Sequence, residues 1–97
     1  IPMASIGFLT LHLLLPGCRS LKEKRGRLKP LLARLHRDFN ISAAEIDRQD
    51  IWQETVVGCV VISNDANHSS RMLQQIPETI EKNWPDFQLI DSTLQLL

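Results

Sequence analysis

Aromatic residues are scarce in this chain: three phenylalanines, two tryptophans and no tyrosine among 97 residues. Of the two most apolar strand-like segments, Ser5 to Leu15 contains only Phe8 and Thr55 to Ser63 contains no aromatic at all. Sequence-specific RNA reading across a sheet needs stacked aromatics on the central strands, so that mode is disfavoured. Cysteine is limited to Cys18 and Cys59, without CxxC spacing. A disulfide scaffold requires a denser set, and both are read as reduced in a cytosolic protein. Leu9 to Leu15 is apolar apart from Thr10 and His12, far short of the ~20 residues of a membrane span. A basic leader with a small-residue cleavage site is also missing, and Ile1-Pro2 ahead of Met3 reads as a cloning remnant. Neither a Gly-rich phosphate loop, nor GxSxG, nor a defensible pair of carboxylates is found. An enzyme is the weakest reading, and no cofactor is implied.

What is abundant is charge, and it is unevenly placed. Arg19, Lys22, Lys24, Arg25, Arg27, Lys29, Arg34 and Arg37 face one acid, Glu23, giving +7 over residues 19–37. From Asp38 onward ten acids face Arg48, Arg71 and Lys82, giving −7, so the net charge of zero conceals a strong separation. The proportions, 43% hydrophobic and 23% charged, are those of an ordinary folded domain and not of a disordered one. Residues 3–97 suit a single domain with one modest core.

Ser5 to Leu15 reads as a strand apolar on both faces, stopped by Pro16-Gly17. Ser20-Leu21-Lys22-Glu23 then fits a capping box, the Glu23 side chain reaching back to the helix start. On a wheel with Leu21 at 0°, Leu28, Leu31, Leu32, Leu35 and Phe39 fall between about 280° and 20°. Lys22, Arg25, Lys29 and His36 occupy one flank, from roughly 40° to 100°. Arg27, Arg34 and Arg37 lie on the far side with Glu23. Lys24 lands inside the apolar arc and is expected to snorkel to solvent. Pro30 sits within the pattern and costs one backbone bond, so a kink is expected near Gly26.

Asn40 closes that helix. Ile41 to Ile46 reads as a short edge strand, and Asp47 to Glu54 as a polar connection holding Trp52. Thr55 to Ser63 is a second doubly apolar strand, where Gly58 signals a bulge or a close neighbour. Asn64-Asp65 caps a second helix from about Asn67 to Asn83, interrupted by Pro77. Phe87 to Leu97 is a last strand, with Ile90, Ser92, Leu94 and Leu96 as one alternating set. The order strand, helix, strand, strand, helix, strand is the ferredoxin-like split βαβ plan of the α+β class. It predicts four antiparallel strands ordered 4-1-3-2 with both helices on one face. The two strands apolar on both sides are the two this plan places centrally. Its open face would display Ile6, Phe8 and Leu14 among Thr10 and His12, an apolar surface expected to be covered by a second copy.

The SLKEKR run, with Pro16 and Arg19 before it and Pro30 behind, resembles the YlxP-like family of small bacterial proteins. The resemblance extends to Phe39-Asn40-Ile41-Ser42, to Asp47 and Asp50-Ile51-Trp52, and to Ser63-Asn64-Asp65, and spans Met3 to Leu97 in order. It implies a ferredoxin-like fold and a cytosolic bacterial protein. Members are often encoded beside translation-initiation and ribosome-maturation factors, which implies RNA or ribosome association. The family has no assigned activity or site residues.

Several groups are candidates for function. Phosphate contact would fall to Lys22, Arg25 and Lys29, with Arg19, Arg27 and Arg34; alternatively the helix is only solvated, or docks on an acidic surface. Asp47, Asp50 and Glu54 could offer oxygens to a hard cation, but they match no calcium loop. No metal site is assigned. Trp52 is read as a lid on the core edge in preference to an exposed anchor. His12, His36 and His68 suggest no metal pairing. Cys18, just ahead of a helix, sits where a thiolate is favoured, yet it has no base or oxyanion motif beside it. The sequence thus points to a non-enzymatic RNA- or ribosome-associated accessory protein. An oligomeric protein-interaction module using the open sheet, without nucleic acid, is the alternative.

Overall fold

The computed structural model describes residues 4–97, so the expectation for Ile1-Pro2 lies outside the described residues. Six elements follow one another: β1 (Ser5–Leu14), α1 (Leu21–Phe39), β2 (Ser42–Asp47), β3 (Glu54–Ser63), α2 (Ala66–Asn83) and β4 (Gln88–Leu96). The strands pair antiparallel in the order β2-β3-β1-β4. This is the expected 4-1-3-2 arrangement, with the two doubly apolar strands in the middle.

The alternation of β1 decides which face is covered. Leu9, Leu11, Leu13 and the following Leu15 are buried, and they join Val57, Cys59 and Val61 of β3 in one core. From above, α1 contributes Leu28, Leu31 and Leu35, and α2 contributes Leu73, Ile76 and Ile80. Each fully buried aliphatic side chain stabilises by about 1.5–3 kcal/mol relative to exposure. Both helices are continuous through their internal prolines, Pro30 and Pro77. The packed leucine and isoleucine stripes offset the lost backbone bonds. Gly7 lets α2 pack closely, because a Cβ there would lie 2.6 Å from a Leu73 methyl and that buried side chain would have to shift.

Two strands depart from simple alternation, β4 against β1 and β2 against β3 at Ile46. A bulge in β4, where the register with β1 shifts between His12 and Leu13, leaves Ile90 out of the pairing. Leu89 and Leu94 therefore both pack on the core while Ile90 is exposed. The expected single set through Ile90 and Leu94 is thus corrected by one extra residue. Gly58, in contrast, is in regular register with both neighbours. Its lack of a side chain makes room for Phe8 and Ile46, whose atoms would sit 3.1 Å from a Cβ.

Candidate functional site

The start of α1 is fixed by two short-range bonds. Ser20, in extended backbone, accepts at Oγ from the Glu23 N–H at 3.0 Å. The Glu23 carboxylate accepts from the Arg19 N–H at 2.7 Å, so it reaches one residue farther back than a capping box. That donated N–H is the main reason the Glu23 carboxyl lies below its usual range, with the Arg27 and Arg19 charges adding to it. At the other end Asn40 closes the helix in the left-handed region, at φ 49°.

Lys24 does not snorkel. It is 1% exposed, and its Nζ donates to the carbonyls of Arg48 and Ile51, both at 2.7 Å, and lies 3.4 Å from that of Gln49. It also lies 2.8 Å from Glu45 Oε2, which accepts from the buried Thr55 hydroxyl at 2.6 Å. A buried ammonium is tolerable only when paired and hydrogen-bonded on this scale. The loop between β2 and β3 is thereby fastened to the first turn of α1. The wheel marks Lys24 as anomalous, but most of its acceptors are backbone carbonyls, which carry no sequence signal.

The remaining cations of α1 divide by environment. Lys22, Arg25 and Lys29 are exposed on one flank and form no ion pair among the described residues. His36 continues that flank and its Nδ1 meets the Ile41 carbonyl, which places the flank beside β2. Arg19 is exposed just before the helix. Arg27 is committed elsewhere. Its guanidinium donates to the carbonyls of Pro16, at 3.2 Å, and Asp86, and rests over Phe87 at 5.8 Å from the ring centroid. Arg34 donates to Asp38 at 2.7 Å across an i,i+4 spacing, and this contact, with Arg37 beside it, holds the Asp38 carboxyl below its usual range. Arg27 and Arg34 therefore stand apart from the Lys22–Lys29 flank, the first as an internal tether.

The loop acids do not converge. Asp47 accepts from the Arg48 N–H at 2.7 Å, while Glu54 pairs with His12 and, at 3.5 Å, with Arg48. Among the described residues no three His, Cys, Asp or Glu side chains are grouped to hold a metal. Trp52 is 49% exposed, which overturns the core-edge reading. Trp84 is instead the packed tryptophan, edge-on to Phe87 at 6.5 Å. His68 lies exposed at the start of α2, where its N–H is capped by Asp65. Cys18 is fully buried with its thiol aimed at the Ser20 carbonyl, shielded from any substrate. Cys59 lies in the core, where burial pushes its thiol up to about 12.

On the far side of the sheet, Ile6 pairs across to Ile62 and Phe8 to Val60. Ile6, Val60, Ile46 and Ile62 are exposed, Ile62 by 69%. Leu14, at the other end of β1, is half-buried opposite Glu54 and Gln88. The apolar patch is thus concentrated at the Ile6 end, and the His12 end is polar.

Fold and surface together define a small α+β domain of the split βαβ type with a basic helix on its covered side. The chain belongs to the family described as "Protein of unknown function (DUF503)", which its residues 6–94 match. A curated relative, the Uncharacterized protein YlxP of Bacillus subtilis (strain 168), is 38% identical over 71 residues. That alignment covers 73% of this chain and 77% of the relative. Among solved structures, the de novo designed protein Foldit4 has a TM-score of 0.54 and 11% identity, over 98% of this chain and 97% of that one. This last likeness is one of fold alone. No helix of the described residues is long and apolar enough to cross a membrane.

Proposed function

We propose that the protein is a non-enzymatic, cytoplasmic RNA- or ribosome-associated factor that takes phosphates on Lys22, Arg25 and Lys29, with Arg19 at the edge. The observation behind this reading is that these cations share an exposed flank and have no acid paired to them among the described residues. Lys22 to Lys29 spans about 10 Å along the helix, long enough to meet several phosphates of one strand. Backbone contact of this kind requires no reading of bases.

The protein recovered from lysate at low salt should carry RNA that nuclease removes and high salt releases. Lys22→Glu/Lys29→Glu should recover several-fold less. Equal RNA recovery by the double variant would refute the assignment of the flank. A second reading, self-association through the open sheet, is favoured by the cross-strand cluster Ile6, Ile62, Phe8 and Val60. That surface lies on the opposite side of the sheet from α1, so the two readings do not compete for space.

A further inference from the structure

Trp52 has the exposure of a binding residue and the support of a structural one. The β2–β3 loop that carries it is set by Arg48 in the left-handed region, at φ 62°, and by the Ile51 N–H donating to the Arg48 carbonyl at 3.1 Å. Lys24 gathers the carbonyls on one side of Trp52. On the other side, Gln53 accepts from the Leu15 N–H at 2.8 Å and donates through Nε2 to the Cys18 carbonyl at 3.3 Å. The half-exposed indole therefore stands on a loop whose backbone is stitched on both sides of it, which lowers the ordering cost of any contact it makes.

Those stitches also fix its surroundings. The residues flanking Trp52 are bonded to residues 18 and 24, and the segment between and just beyond them carries Arg19, Lys22 and Arg25. A half-exposed indole and three exposed cations thus lie on two segments that are bonded to one another. An aromatic face beside phosphate-binding cations is the arrangement that holds unpaired nucleic acid, the base on the ring and the backbone on the charges. A duplex would satisfy the cations but leave the indole unused, since its bases are already stacked. The sheet offers no such platform, because Phe8 is packed with Ile46 over Gly58. Two of the three loop acids are engaged, Asp47 by the Arg48 N–H and Glu54 by Arg48 and His12. Asp50 has no hydrogen-bond or ion-pair partner among the described residues, and its charge opposes the strand.

We propose that Trp52 stacks on an unpaired base while the adjacent flank of α1 holds the phosphates, so that the ligand is single-stranded or looped RNA. This rests on the RNA reading above and narrows it. The test uses a 12-nucleotide RNA of mixed sequence, alone and annealed to its complement. In Trp84→Phe, where Trp52 is the remaining indole, the single strand should quench emission and the duplex should not. Trp52→Ala should weaken single-strand binding by roughly 5- to 150-fold, the range for losing one base stack, with the salt dependence unchanged. Trp52→Phe should retain most of the affinity, and Asp50→Asn should tighten binding a few-fold. Salt-dependent RNA binding that ignores Trp52→Ala, or saturates without quenching, would overturn the stacking and leave the flank assignment standing. Failure to bind either RNA would overturn both. Nuclease-resistant capture of a protein from lysate, lost in Trp52→Ala, would overturn the stacking in favour of a protein partner.

Discussion

Lys24 occupies a helix position where a leucine would complete the stripe, and its ammonium replaces that packing with bonds to a distant loop. Replacing an interior ion pair with apolar groups is often neutral, but removing one partner alone leaves a charge and several carbonyls unmatched. Lys24→Met should therefore destabilise by about 3 kcal/mol in urea unfolding, with Lys24→Met/Glu45→Gln recovering part of the loss. A change within the scatter of an ordinary surface substitution would show that water already satisfies the loop. Cys59 is a second buried group with a measurable consequence. Its thiol ionises near 9.0 when unfolded but only at about 12 in the core. Between these values the native state holds a proton that the unfolded chain has released, so stability falls as pH rises. The expected slope from this one group is about 1.4 kcal/mol per pH unit. Cys59→Ala should lower the whole curve through lost packing and make its alkaline limb shallower by one proton, as followed by urea midpoints from pH 8 to 11.

At the level of elements, much of the molecule was legible before its structure. Six of six elements fall within about one residue of the sequence expectation at either end, because leucine stripes, proline–glycine stops and the Ser20 and Asp65 caps all agree with one another. The misreadings share a physical cause. Lys24 and Trp52 depend on where a loop from another part of the chain comes to rest, and the partners of Lys24 are mostly backbone carbonyls. The β4 bulge depends on pairing with β1, which no local pattern in Gln88 to Leu96 announces. The Lys22–Arg25–Lys29 flank was legible because it needs nothing but helical period. Its separation from Arg27 and Arg34 on the wheel anticipated their different environments, although the roles of those two arginines were not legible.

For the whole molecule, the charge separation and the open sheet set two independent expectations. The exposed apolar cluster of Ile6, Ile46, Val60 and Ile62 lies on the far side of the sheet from α1 and is the surface a second copy would cover. Light scattering at micromolar concentration should give at least twice the 11.1 kDa chain mass, and Ile62→Asp should return it towards one chain. A monomeric wild type would remove the self-association reading without touching the basic flank. That flank is the central claim, and the salt dependence of binding to a defined RNA tests it most directly. Three or four phosphate contacts on a single strand predict that log K falls against log salt with a slope of about −2 to −3. Lys22→Glu/Lys29→Glu should flatten that slope by more than one unit and weaken binding at every salt concentration. An unchanged slope in the double variant, or no dependence of wild-type binding on salt, would contradict the account.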